Sequence, residues 1–117
     1  MRITSEYFED ETYWCRECNK DINEEEVNKT TWECDDCNNK ILIDIGIENG
    51  QRLVRLPPAE LTRYDDVYDQ YYQRFHSLKG ITFENGKYRF GVAEYGMVKV
   101  DEDEFVNCRW RGQGLTF

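Results

Sequence analysis

A chain of 117 residues carries 24 carboxylates against 15 lysines and arginines, for a net charge of −9. That length supports one domain, or two small pieces packed together. The charge disfavours a phosphate-backbone partner, and no apolar run approaches the ~20 residues that span a bilayer.

The first predicted strand lies within residues 3–14, where Tyr7, Phe8, Tyr13 and Trp14 supply aromatic bulk. Glu9-Asp10-Glu11 reads as a turn. Cys15-Arg16-Glu17-Cys18 follows, and Cys34-Asp35-Asp36-Cys37 repeats its form fifteen residues later. Two residues between cysteines let the backbone turn so that both sulfurs aim at one ion, and two such turns complete a tetrahedron. Asn19 follows the first pair and Asn38 the second, and asparagine tolerates the left-handed conformation such knuckles need. Between them, Asp21 or Asn23 is placed to cap a single helical turn over Glu24 to Glu26. Thr30-Thr31-Trp32 reads as a short strand into the second knuckle. Trp14 and Trp32, just ahead of the two pairs, are expected to pack around the metal site.

This pattern resembles the zinc ribbon, a fold group in which two knuckles at hairpin tips share one metal. The resemblance covers about the first 50 residues. It implies one structural Zn2+ on Cys15, Cys18, Cys34 and Cys37, and no particular activity. A structural zinc contributes on the order of 10 kcal/mol to folding.

Ile41 to Ile47 reads as a strand that turns at Asn49-Gly50 into Arg52-Leu53-Val54-Arg55-Leu56. Pro57-Pro58 marks a boundary between a ribbon unit, 1–56, and a second unit, 57–117. Residues 59–78 predict a helix. Leu61, Tyr64, Tyr68, Tyr71, Phe75 and Leu78 fall at helical spacing, and Gly80 stands as a stop. Residues 81–117 read as all β. A second Asn-Gly turn, Asn85-Gly86, joins Ile81–Glu84 to Lys87–Val92. Strands follow at Met97–Val100 and Phe105–Trp110. The expected fold class is therefore α+β, a ribbon followed by one helix and a small antiparallel sheet or barrel.

The charge is uneven. Residues 1–50 hold five basic residues against fourteen carboxylates, whereas residues 51–117 hold ten of each. The ribbon end is thus strongly acidic. The expected function is that of a small, non-enzymatic, cytoplasmic zinc-binding protein that docks another protein with a basic surface. The N-terminus lacks the basic-then-apolar pattern of a secretory signal, which is the basis for the location. The alternative is a nucleic-acid-binding ribbon accessory factor using Arg52, Arg55 and Arg109-Trp110-Arg111. His76 and Cys108 form the one conceivable Cys-His pair. No catalytic residue is assigned.

Overall fold

The computed structural model describes residues 1–4, 8–46 and 52–110. Among the described residues nine strands are defined: β1 (Thr12–Cys15), β2 (Lys20–Ile22), β3 (Leu42–Asp44), β4 (Leu53–Leu56), β5 (Asp66–Asp69), β6 (Arg74–Glu84), β7 (Lys87–Val92), β8 (Gly96–Asp101) and β9 (Val106–Arg109). They form one antiparallel sheet in the order β2-β1-β3-β4-β9-β5-β6-β7-β8. The sheet runs across the Pro57–Pro58 junction, because β4 precedes it and pairs with β9, which follows it.

The mixed pattern of Leu53-Val54-Arg55-Leu56 is explained by burial on both faces. Val54, Cys108 and Val67 line up across β4, β9 and β5 and point to one core. Leu42, Leu78, Phe90, Val92, Val100 and Val106 belong to the same core, and Ile3 and Leu61 help cover it. Tyr13, Ile43 and Leu53 line up on the other face. Trp32, Val27 and Ile41, from the loop between the knuckles and just beyond it, close over them. Successive strand residues point to opposite faces, so one two-sided sheet serves two cores.

The predicted helix over 59–78 is not formed, and the α+β expectation is overturned. The described residues contain no α-helix, only single 3-10 turns at Glu24–Glu26 and Pro58–Glu60, so the fold is mostly β. Residues 59–78 instead contribute the second 3-10 turn, β5, a turn at 70–73 and the start of β6. Aspartate side chains account for the difference by competing with helical hydrogen bonds. Asp69 accepts from the backbone N–H of Tyr71 at 3.0 Å and of Tyr72 at 3.3 Å. Asp65 accepts from the Thr62 N–H at 2.8 Å. Gln73 then takes a left-handed φ of 55°, which reverses the chain. Of the supposed helical face, Tyr64 and Tyr71 are exposed, while Tyr68 and Leu78 enter different cores. Gly80 is not a helix stop. It lies where the register between β6 and β7 shifts.

Other expectations hold. Asn85 and Gly86 take φ of 54° and 75° in the β6–β7 turn, and Glu24–Glu26 makes one 3-10 turn behind Asn23, whose side chain does not cap it but donates to the Glu26 carboxylate at 2.9 Å. The Asn49-Gly50 turn, Arg111 and residues 112–117 lie outside the described residues. Thr30 and Thr31 form a turn rather than a strand, because both N–H groups donate to the Asn28 side-chain oxygen.

One buried charge joins distant parts of this sheet. Arg55 on β4 is fully buried. Its Nε donates to Asn107 Oδ1 at 2.9 Å, its Nη2 reaches Glu11 at 2.5 Å, and its guanidinium lies 4.2 Å from the Trp32 ring centre. Tyr13 donates its hydroxyl to the same Glu11 carboxylate, and burial with that carboxylate holds the phenol well above its ordinary range. Removing one partner leaves the other charge buried and unpaired. Arg55→Ala is therefore expected to cost about 3–5 kcal/mol in chemical denaturation. Arg55→Met, which refills the space under Trp32 but still strands Glu11, is expected to recover only part of that loss unless Glu11→Gln accompanies it.

Candidate metal centre

Each knuckle is built by a short antiparallel contact that ends where a cysteine begins. In the first, β1 pairs with β2 so that Cys15 faces Lys20, and residues 16–19 form the turn between them. Asn19 closes that turn at φ 50°, its N–H donating to the Arg16 carbonyl at 3.2 Å. In the second, an isolated bridge joins Glu33 to Lys40. The Cys34 N–H donates to the Asn39 carbonyl and the Asn38 N–H to the Cys34 carbonyl, both at 2.8 Å. Asn38 has φ 61°. Both asparagines that follow the cysteine pairs thus occupy the left-handed region in which short polar side chains are enriched.

These turns bring the four sulfurs together. The Sγ atoms of Cys15, Cys18, Cys34 and Cys37 all lie within 4.8 Å of one another. The closest contacts cross between knuckles, Cys15–Cys37 at 3.4 Å and Cys18–Cys34 at 3.9 Å. Cys15 and Cys34 are buried, whereas Cys18 and Cys37 are half-buried. The group could hold one metal ion. Its donors are all sulfur, and all four can reach one point, which suits a soft or borderline cation.

The electrostatics of the thiols agree with that use. The Asn39 backbone N–H, with the Asn39 side chain, holds the Cys37 thiol down to about 7. The neighbouring Cys37 and Cys15 sulfurs, with burial, push Cys18 up to about 12. Cys15 is raised as well, chiefly by burial. The cluster therefore carries a first negative charge readily and resists further ones. A bound cation removes that resistance, because its charge favours every thiolate at once. The Cys18 N–H also donates to Cys15 Sγ at 3.4 Å, the kind of contact that would orient a sulfur toward an ion.

Polar contacts brace the two knuckles. Lys20 pairs closely with Asp36 across them. Lys40 reaches Glu33 at 3.0 Å and Glu60 at 3.1 Å, tying the second knuckle to the Pro58–Glu60 turn. Asn39 and these pairs were not picked out from the sequence. Only the doubled asparagine, Asn38-Asn39, hinted at the first. Trp14 and Trp32 do not share the metal site as expected, since Trp14 packs on one core and Trp32 on the other.

Beside Cys34 runs an open groove lined by Asp21, Glu25, Glu26, Glu33, Asp35 and Asp36, with Lys20 its one basic residue. Of the arginines considered for nucleic acid, Arg52, Arg55 and Arg109 lie within the described residues. Arg55 is enclosed in the core. Arg109 Nε lies 3.2 Å from Asp66, too poorly aligned for a hydrogen bond, with its guanidinium 4.2 Å from the Phe75 ring centre. Arg52 lies over the Trp14 ring. The Cys108–His76 pair is not assembled either. His76 sits in β6 rather than at a helix end, and Val67 of β5 stands between the two residues. Two strand spacings separate them by about 10 Å.

No protein-family model, no curated protein and no solved structure matches the chain.

The left-handed asparagines give the knuckles a specific sensitivity. Asn38→Gly is expected to be tolerated, because glycine adopts φ near 60° at little cost. Asn38→Val is expected to cost about 1–2 kcal/mol, read as a lower thermal midpoint. Equal behaviour of the two variants would mean that the backbone at Asn38 is not left-handed.

Proposed function

We propose that this is a small zinc-binding protein without catalytic activity, which uses its metal-braced acidic end to dock a basic segment of another protein. The observation that carries the reading is the convergence of four cysteine sulfurs beside a groove lined by six carboxylates. Zn–S bonds of about 2.3 Å in a tetrahedron set sulfurs roughly 3.8 Å apart. The observed 3.4 Å and 3.9 Å cross-knuckle contacts lie close to that spacing. Cys15, Cys18, Cys34 and Cys37 would hold the ion and fill its tetrahedron. Four protein ligands leave no position for substrate or water, as in structural zinc sites. The ion's role is then to cross-link two turns.

Zinc on four thiolates carries a formal charge of −2, which adds to the carboxylates of the groove. Such a field attracts lysine and arginine side chains and speeds their encounter. Metal-held thiolates persist where thiols stay reduced, so the setting we propose is cytoplasmic. The separation of Cys108 from His76 by a strand supports a role without thiol catalysis.

The metal half of the proposal is tested by elemental analysis of protein purified without chelator. One zinc per chain is expected, and its absence would sink the reading. Chelation or Cys34→Ser is expected to abolish cooperative melting in near-ultraviolet dichroism. The docking half is tested with oligolysine on the zinc-loaded chain. Binding is expected at low salt, to weaken steeply as salt rises, and to drop several-fold in a Glu25→Lys, Glu26→Lys double variant. Zinc-loaded protein that ignores oligolysine at low salt would retain its metal assignment and lose the docking role.

A further inference from the structure

The four sulfurs of the metal centre fall into two close pairs. Cys15 lies 3.4 Å from Cys37 and Cys18 lies 3.9 Å from Cys34, so each pair crosses from one knuckle to the other. Each pair also sets a buried sulfur against a half-buried one. Cys15 and Cys34 are buried, whereas Cys37 and Cys18 are partly open to solvent. Cys108, the fifth cysteine of the chain, is fully enclosed on β9 and stands outside the group.

We propose that these pairs are the site of a reversible oxidation, in which hydrogen peroxide converts Cys15–Cys37 and Cys18–Cys34 into disulfides and the metal is released. The inference rests on the metal half of the reading above and not on its docking half. A solvent-accessible sulfur with a second cysteine poised against it is the arrangement of redox-sensing cysteines. The accessible thiolate, Cys37 or Cys18, attacks one peroxide oxygen. The O–O bond breaks, a sulfenic acid forms and hydroxide leaves. The buried partner, Cys15 or Cys34, then attacks the sulfenic sulfur. The S–S bond forms and a second hydroxide leaves. Each pair gives up two electrons and each peroxide takes two. Thiolates are the metal ligands, and none of the four remains.

Three features favour pairing across the knuckles over pairing within them. Each cross-knuckle gap needs to shrink by only roughly 1–2 Å to reach the S–S bond length of about 2.05 Å. The two bonds nest, because residues 18 and 34 both lie inside the segment 15–37, so one bond does not obstruct the other. The Lys20–Asp36 ion pair also bridges the knuckles without using a sulfur, which keeps the pairs opposed when the ion leaves. Disulfides within each C-x2-C turn would leave the knuckles with no covalent link. The cross-knuckle bonds preserve that link, so the segment carrying Trp32 stays fixed on both sides. Oxidation then exchanges a cluster of formal charge −2 for a neutral one without opening this end of the sheet.

The test uses the full chain, with its zinc content measured before peroxide is added. Zinc release is followed with a chromogenic chelator, and about two peroxides are expected per zinc released. The oxidised chain is alkylated, denatured and digested without reductant. Trypsin cuts after Arg16, Lys20, Lys29 and Lys40, which places Cys15, Cys18 and the Cys34–Cys37 pair on three separate peptides. Cross-knuckle bonds hold peptides 3–16, 17–20 and 30–40 in one species, whereas bonds within the knuckles leave 30–40 on its own. Cleavage before Asp35 and Asp36 then separates Cys34 from Cys37 and identifies the partner of each. Cys15–Cys37 and Cys18–Cys34 are expected, with Cys108 alkylated only after denaturation. The oxidised, zinc-free chain is expected to keep the cooperative melting that chelation of the reduced chain abolishes, and reductant with zinc is expected to restore the starting state. Any other pairing would overturn the proposal, as would zinc retained under peroxide or an oxidised chain that melts like the chelated one. A chain that holds no zinc before peroxide is added would sink the metal assignment itself, and that result is read before the oxidation begins.

Discussion

The structure turns on the Arg55 guanidinium, a permanent charge with no exposed surface. Moving such a group out of water costs several kcal/mol even after relaxation, and only good geometry recovers it. Here the geometry comes from residues spread along the chain. Glu11 arrives from the lead-in to β1, Asn107 from β9, and Trp32 from the loop between the knuckles. The Phe8 ring lies 5.8 Å away on the same group. No local segment can satisfy Arg55 alone. The charge therefore specifies which strands meet, and in what register, since Arg55 lies opposite Asn107.

A second polar anchor acts where the chain begins. Asp69, also without exposed surface, accepts from the Arg2 N–H at 2.8 Å as well as from the β5–β6 turn. The Gln70 N–H donates to the Arg2 carbonyl, and the Asn107 N–H to that of Ile3, both at 2.8 Å. Ile3 is thereby pinned over Val67 and Cys108, closing one core from the N-terminus. Each face of the central sheet is thus sealed by a segment far away in sequence and fixed by a buried charged residue. A nine-stranded sheet with two cores gains stability from these closures, because strands left with one bare face would expose leucine and valine to water.

The features legible in the sequence were those governed by local chemistry. Cysteine spacing set the sulfur cluster, Asn19 and Asn38 set the backbone that aims it, and Asn85-Gly86 set a hairpin. Each needs only a few neighbouring residues. The segment 59–78 was misread because periodicities 3.6 and 2 overlap on short stretches. Tyr68, Phe75 and Leu78 suit either. What decided the matter was Asp69 and Asp65, whose carboxylates capture nearby N–H groups, and the vacancy beside β9 that β5 fills. The latter is a tertiary condition that no local pattern records. Arg55 was misjudged for a related reason. In a strand of alternating character an arginine reads as the solvent face, and nothing nearby reveals that Trp32 lies over it.

The same contact decides how far the metal centre reaches. An ion that bridges the knuckles fixes the chain on both sides of Trp32, through β2 before it and Cys34 after it. Trp32, Val27 and Ile41 then cover Tyr13, Ile43 and Leu53. Releasing the second knuckle would lift Trp32 from Arg55 and admit water to the Glu11 pair. The penalty would not stay at the surface, since β4 and β9 exchange their hydrogen bonds directly beneath. A metal held at one end of the sheet would therefore be coupled, through Trp32, to the charge near its middle. The knuckles are more than an appendage, because the loop they constrain serves as the roof of the second core.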